Sequence, residues 1–133
     1  MHFFSCSTPR GKFALVDLPG YGYARAPRAE RERWGEAVER YLLGRDNLRG
    51  LVLLCDVRRD LAEEERLLED LAERRELALI RVATKIDKLG RADRVRRLRA
   101  LDEAADEAWI PFSAKTLEGR DQLLEALVAV AAG

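Results

Sequence analysis

The sequence predicts an α/β domain: a mostly parallel sheet with helices on both faces. Three observations carry that prediction. From Lys12 to the end, apolar runs of strand length alternate with amphipathic helical stretches, which is the pattern of strand–helix units. The run Leu51-Val52-Leu53-Leu54-Cys55 is unbroken, as suits a parallel strand covered on both faces. Three polar segments, Asp17 to Gly20, Thr84 to Asp87 and Ser113 to Lys115, each follow a strand-like run. They therefore fall at the C-terminal edge of the sheet, where open α/β sheets bind ligands.

The chain has 133 residues, 47% hydrophobic and 36% charged. That is enough for one domain with a real core, and the composition is globular, not disordered. With 24 basic and 24 acidic side chains the formal net charge is zero, so only local patches could favour nucleic acid. The basic residues are nearly all Arg; the lysines are Lys12, Lys85, Lys88 and Lys115. Cys6 and Cys55 sit in apolar runs with no CxxC pair, which reads as buried free thiols in a reducing, cytoplasmic setting. The single His2 excludes a His-rich metal site. No signal peptide and no bilayer-length apolar run occur, so no membrane partner is expected.

His2-Phe3-Phe4-Ser5-Cys6 is strand-like from the first residues onward, so a lead-in upstream is expected. Pro9 and Gly11 punctuate a turn, and Lys12 to Asp17 forms the next strand, close enough to pair with the first as a hairpin. A loop with Pro27 leads to a helix over about Ala29 to Leu43. There Trp34, Val38, Tyr41 and Leu42 make one apolar stripe and Gly44 stops it. The strand from Leu51 to Asp56 follows. Asp60 with Glu63 predicts a helix start, with Leu61, Leu68, Leu71 and Ala72 inward. Leu77 to Ala83 is a strand, and a helix after Gly90 turns Val95, Leu98 and Leu101 inward. Trp109 to Phe112 is a short strand. The last helix, from about Gly119, packs through Leu123, Leu124, Leu127, Val128 and Ala131.

The strand-end segments have specific chemical uses. Asp17 ends a strand and can hold a metal ion through water, as such carboxylates do in phosphate-handling sites. Gly20 offers a backbone N–H open to a phosphate. Asp87 can accept two hydrogen bonds from N1–H and the exocyclic amine of guanine, a donor pair that adenine lacks. The stem of Lys85 can lie along a base face. Ser113-Ala114-Lys115 can bring a backbone N–H to the base oxygen, with Lys115 over the other face. The order and spacing of the three segments together point to a guanine nucleotide.

The run Asp17-Leu18-Pro19-Gly20-Tyr21-Gly22-Tyr23-Ala24, with Glu30-Arg31-Glu32-Arg33-Trp34-Gly35, Thr84-Lys85-Ile86-Asp87 and Phe112-Ser113-Ala114-Lys115, resembles the EngB (YsxC or YihA) family of bacterial ribosome-assembly GTPases. These belong to the translation-factor-related GTPases, and the resemblance covers nearly the whole chain. It implies a P-loop-NTPase-like GTPase domain with GTP or GDP and Mg²⁺ as cofactors. Asp17 would reach Mg²⁺ through water and Gly20 would sense the γ-phosphate, with Leu18 and Pro19 in the same loop. Thr84, Lys85, Ile86 and Asp87 would read guanine, helped by Phe112, Ser113, Ala114 and Lys115. Arg25 to Arg33 would be a mobile switch. The implied partner is a large-subunit ribosome precursor, rRNA and protein, with roles in cell division and septation.

The sequence departs from that family in one respect. No G-x-x-x-x-G-K-[ST] occurs; Gly11-Lys12 is followed by Phe13. The phosphate-cradling loop, its lysine and the first-switch Thr are absent from these residues. The expectation is a single partial domain over 1–133, an N-terminally truncated family member lacking the first strand. In the family fold that strand lies between those at Lys12–Asp17 and Leu51–Asp56. Its absence predicts poor stability or self-association, and the missing phosphate cradle predicts weak or no nucleotide binding. Tyr21 stands where many GTPases place a water-orienting Gln, so no catalytic residue is assigned. Arg91, Arg94, Arg96, Arg97 and Arg99 on one helix read as a solvated face or, alternatively, as an RNA contact. A nucleotide-independent RNA- or protein-binding module on the same scaffold is the alternative function.

Overall fold

The computed structural model describes residues 2–18 and 27–133. Pro19, Gly20 and the rest of 19–26, including Tyr21 and Arg25, lie outside the described residues. The elements in order are β1 (His2–Thr8), β2 (Gly11–Asp17), α1 (Arg28–Leu43), β3 (Gly50–Asp56), α2 (Glu63–Arg74), β4 (Ala78–Thr84), α3 (Arg91–Ala105), β5 (Ile110–Pro111) and α4 (Arg120–Ala132). A 3-10 turn, Ile86–Lys88, follows β4.

Strand and helix alternate as expected, but the sheet is divided. β1 and β2 form an antiparallel pair, His2 opposite Asp17 through Thr8 opposite Gly11. β3, β4 and β5 form a separate parallel sheet in that order. Among the described residues no strand joins β2 to β3. Instead a cavity of about 290 Å³ lies between them, lined by Phe13, Leu15, Val52, Ile80, Leu127 and Val130.

The core is built on one face of the parallel sheet. Leu51, Leu53 and Cys55 of β3 are buried with Val38 and Leu42 of α1, with Leu68, Leu71 and Ala72 of α2, and with Leu101 and Trp109. Trp34, Tyr41 and Leu61 pack at its margin. The Trp109 indole N–H donates to the Leu101 carbonyl at 2.9 Å, which ties the end of α3 to the start of β5. On the other face α4 approaches so closely that a Cβ on Gly50 would stand 2.7 Å from Val130 Cγ1.

β3 departs from its predicted environment. Its neighbour β4 buries Ile80 and Val82 on one side and Ala83 on the other, whereas Val52 and Leu54 of β3 are 37% and 55% exposed. An unbroken apolar run therefore does not mean two covered faces here, because Val52 opens onto the cavity. Val95 and Leu124 are also exposed instead of inward. Both helices present a narrower apolar stripe than their composition suggests.

The start of α2 is shifted as well. Ala62, not Asp60, precedes the helix, and its backbone N–H donates to Glu65 Oε2 at 3.0 Å. Glu65 lies three residues into the helix, the position from which a carboxylate closes a helix N-terminus. Asp60 is drawn away to Arg97, 3.0 Å off.

Candidate functional site

The C-terminal ends of β3, β4 and β5 converge on one cluster. The register sets Asp56 opposite Thr84, so both strands end at the same edge. Beyond β4 the chain turns sharply. Lys85 is in the left-handed region, φ 60° and ψ 34°, at a cost of about 1 kcal/mol for a residue with a Cβ. Ile86 is fully buried and anchors the turn, and its N–H donates to the Phe112 carbonyl at 3.4 Å. The Phe112 N–H in turn donates to Ala83 at 2.9 Å, extending the β4–β5 pairing into the loops.

These bonds bring Asp87 to Ser113. The buried Ser113 hydroxyl donates to Asp87 Oδ1 at 2.7 Å and accepts from the Thr116 N–H at 3.1 Å. The Ser113 hydroxyl, then the backbone N–H of Asp87 itself, and then Lys88 and Lys115 hold the Asp87 carboxyl below the usual carboxylate range. One oxygen of Asp87 is thus engaged, and its remaining lone pairs can accept two N–H donors. Ala114 is exposed, and its backbone N–H has no acceptor among the described residues. A ring with two adjacent donors and a carbonyl oxygen matches that set of groups.

Gly119 shapes the second loop. It has φ +84°, and a Cβ there would lie 2.0 Å from the Pro111 carbonyl oxygen. Only glycine lets α4 start so close to the end of β5. The Ser113 N–H donates to the Glu118 carbonyl at 3.0 Å, and the Leu117 N–H to the Ser113 carbonyl at 2.8 Å.

Asp56 is a member of the cluster that was not singled out in the sequence, although its signal, an apolar strand ending in a carboxylate, is the one that marks Asp17. Arg58 donates to it through Nε at 3.0 Å and Nη2 at 2.7 Å, and that pairing holds Asp56 below the usual range. The Lys85 ammonium lies 3.9 Å from Asp56 Oδ2. Arg58 also feels Asp87. A row of alternating charge thus runs along the sheet edge.

The remaining predicted residues divide. Thr84 ends β4 and Lys115 is exposed beside Asp87. Asp17 is exposed at the end of β2, in the other sheet, and Leu18 packs on the core margin. Among the described residues no hydrogen bond or ion pair joins Asp17 to the Asp87–Ser113 pair. Also among them, no group of three or more His, Cys, Asp or Glu is placed to hold a metal ion. A metal reached through water by Asp17 alone would need further ligands from a bound phosphate.

The arginine run on α3 is not a uniform solvated face. Arg97 donates to the carbonyls of Val57 at 2.9 Å and Arg59 at 2.7 Å. Arg94 donates to Glu118 and Ile86. Arg91, Arg96 and Arg99 stay exposed.

This arrangement of sheet, helices and strand-end loops is that of a GTPase-type α/β domain. The structure matches the crystal structure of a "probable GTP-binding protein engB" with a TM-score of 0.69 at 18% identity, over 98% of this chain and 79% of that one. In sequence the chain is similar to proteins named "Probable GTP-binding protein EngB". That of Exiguobacterium sibiricum is 39% identical over 117 residues, 85% of this chain and 61% of the relative. That of another Exiguobacterium is 35% identical over 134 residues, 98% and 66%. That of Syntrophotalea carbinolica is 42% identical over 118 residues, 86% and 57%. No protein-family model matches. Over 85% to 98% of its length, the curated homologues of the chain are thus proteins named EngB. The chain spans 57% to 66% of their length.

Proposed function

We propose that this chain is the guanine-reading part of a GTP-binding protein, and that the whole protein is a GTPase acting in assembly of the large ribosomal subunit. The observation that carries the first half is the Asp87–Ser113 pair at 2.7 Å beside the Ala114 N–H, which has no acceptor among the described residues. Asp87 takes N1–H and the exocyclic amine of guanine, and the Ala114 N–H takes the base oxygen. Adenine offers the wrong donors and leaves Asp87 unpaired, a mismatch that costs far more than a lost contact. Thr84, Lys85 and Ile86 shape the loop, Lys85 and Lys115 flank the base, and Phe112 backs it. Asp17, Leu18, Pro19 and Gly20 would serve the phosphate end, with Asp17 the residue that would hold Mg²⁺. Mg²⁺, when bound, neutralises phosphate charge.

The phosphate-cradling sequence does not occur in these 133 residues, so this chain binds nucleotide weakly. An NMR titration with GDP and ADP tests the reading. GDP shifts the amides of 85–88 and 113–116, and ADP does not. Asp87→Asn, whose amide pairs a donor with the second carbonyl of xanthine, moves the preference from guanosine to xanthosine. Equal shifts with GDP and ADP would sink the proposal.

The ribosomal role draws its support from the resemblance to EngB proteins, and the cytoplasm from the two free thiols. The alternative, an RNA-binding face on α3, is weakened because Arg94 and Arg97 are spent on internal contacts. Self-association is part of the proposal: β1 is an uncharged seven-residue strand, HFFSCST, without Pro or Lys. Such an edge invites a second copy, and sedimentation that does not depend on concentration would remove the idea.

A further inference from the structure

The two loops that hold Asp87 and Ser113 are joined by a side chain that hydrogen-bonds to neither residue. Arg94, on the first turn of α3, has a side chain only 27% exposed. Its Nη1 donates to Glu118 Oε2 at 2.8 Å, and its Nη2 donates to the Ile86 carbonyl at 3.3 Å. Ile86 immediately precedes Asp87. Glu118 accepts the Ser113 N–H on its own carbonyl at 3.0 Å. One planar guanidinium therefore grips the residue beside the carboxylate and the residue that holds the serine backbone. The planar fork suits this: its two nitrogens hold the two acceptors at a fixed separation, whereas an ammonium offers all its donors from one rotatable nitrogen.

We propose that Arg94 and Glu118 form a strap that sets the spacing of the Asp87–Ser113 pair, which makes Arg94 a positioning residue for guanine selection. The selection half rests on the reading of this site as a guanine site; the strap itself does not. With the strap open, the loops after β4 and β5 keep their separate anchors, Ile86 and Gly119. What is lost is the fixed 2.7 Å contact between hydroxyl and carboxylate.

The test follows the titration of the Asp87 carboxyl carbon by NMR in the whole chain, in Glu118→Ala and in Arg94→Lys. Removing a nearby negative charge would by itself lower the Asp87 pKa further. Losing the serine hydroxyl as a donor raises it. The sign in Glu118→Ala therefore separates electrostatics from positioning, and Arg94→Lys repeats the test at constant charge. The expected result is a rise toward the usual carboxylate range in both variants. GDP binding also weakens about tenfold, the scale of one charge-assisted hydrogen bond. A fall or no change in Glu118→Ala overturns the strap. A rise in both variants, in a chain that does not distinguish GDP from ADP, keeps the strap and removes the guanine reading. Glu118 is 53% exposed, so its removal tests the idea even if Arg94→Lys fails to fold.

Discussion

The hairpin of β1 and β2 and the parallel sheet of β3 to β5 are built from similar apolar sequence, yet they end in opposite environments. The hairpin pairs along all seven residues of each strand and buries none of them among the described residues. Phe3 and Phe4 are 59% and 55% exposed. In the parallel sheet Leu53, Cys55, Val82 and Ala83 are at or below 1% exposure. The difference shows that backbone pairing does not make a core. A strand becomes buried only when helices close over it, and the helices here close over β3 and β4. The hairpin is held to the body by weaker ties, among them the Arg45 guanidinium between Phe3 and Tyr41, 5.3 and 5.2 Å from the ring centroids.

Substitution should expose that contrast most strongly. Leu53→Ala removes a side chain at 1% exposure and should destabilise the chain by about 3 kcal/mol. Phe4→Ala should cost under about 0.5 kcal/mol. Urea unfolding monitored by circular dichroism compares the two, and equal costs would mean the hairpin carries core energy after all. The two thiols give the next largest effect. Burial, and then Glu65, push the Cys55 thiol up to about 11, so at pH 8 it is protonated as well as covered. Cys6, half-buried on the hairpin, should be alkylated by iodoacetamide at least about tenfold faster. Mass spectrometry of time points reads the ratio, and similar rates would show that β3 opens as readily as β1.

The smallest expected effect lies in acid. Asp87 and Asp56 are both held below their ordinary range in the folded chain. Their stabilising contribution is therefore complete above about pH 4, near the unfolded carboxylate value, and is lost as pH falls through the folded values. Ser113→Ala removes the main cause at Asp87 and should flatten the acid side of the stability profile. An unchanged profile would assign the acid sensitivity to Asp56 and Arg58.

Much of the fold was legible because local rules govern it. The alternation of runs, the Gly44 and Gly119 helix boundaries and the short strand before Ser113 follow from periodicity and glycine chemistry. Beside the exposed faces of β3, α3 and α4, two further local readings went astray for physical reasons. Asp60 looked like the cap of α2 but is claimed by Arg97, 37 positions along the chain. Arg94 and Arg97 looked like part of a solvated run, because nothing local reveals that carbonyls of distant loops await them.

By itself, the order of residues determined the strands, the helices and the chemical character of the strand-end loops, since these depend on near neighbours and side-chain type. Only the tertiary structure decided that Asp87 meets Ser113, 26 positions away. It also decided that Asp56 joins them and that β2 stands apart from β3. Such contacts are set by how helices pack across a sheet, and packing is a balance over the whole chain that no short stretch records.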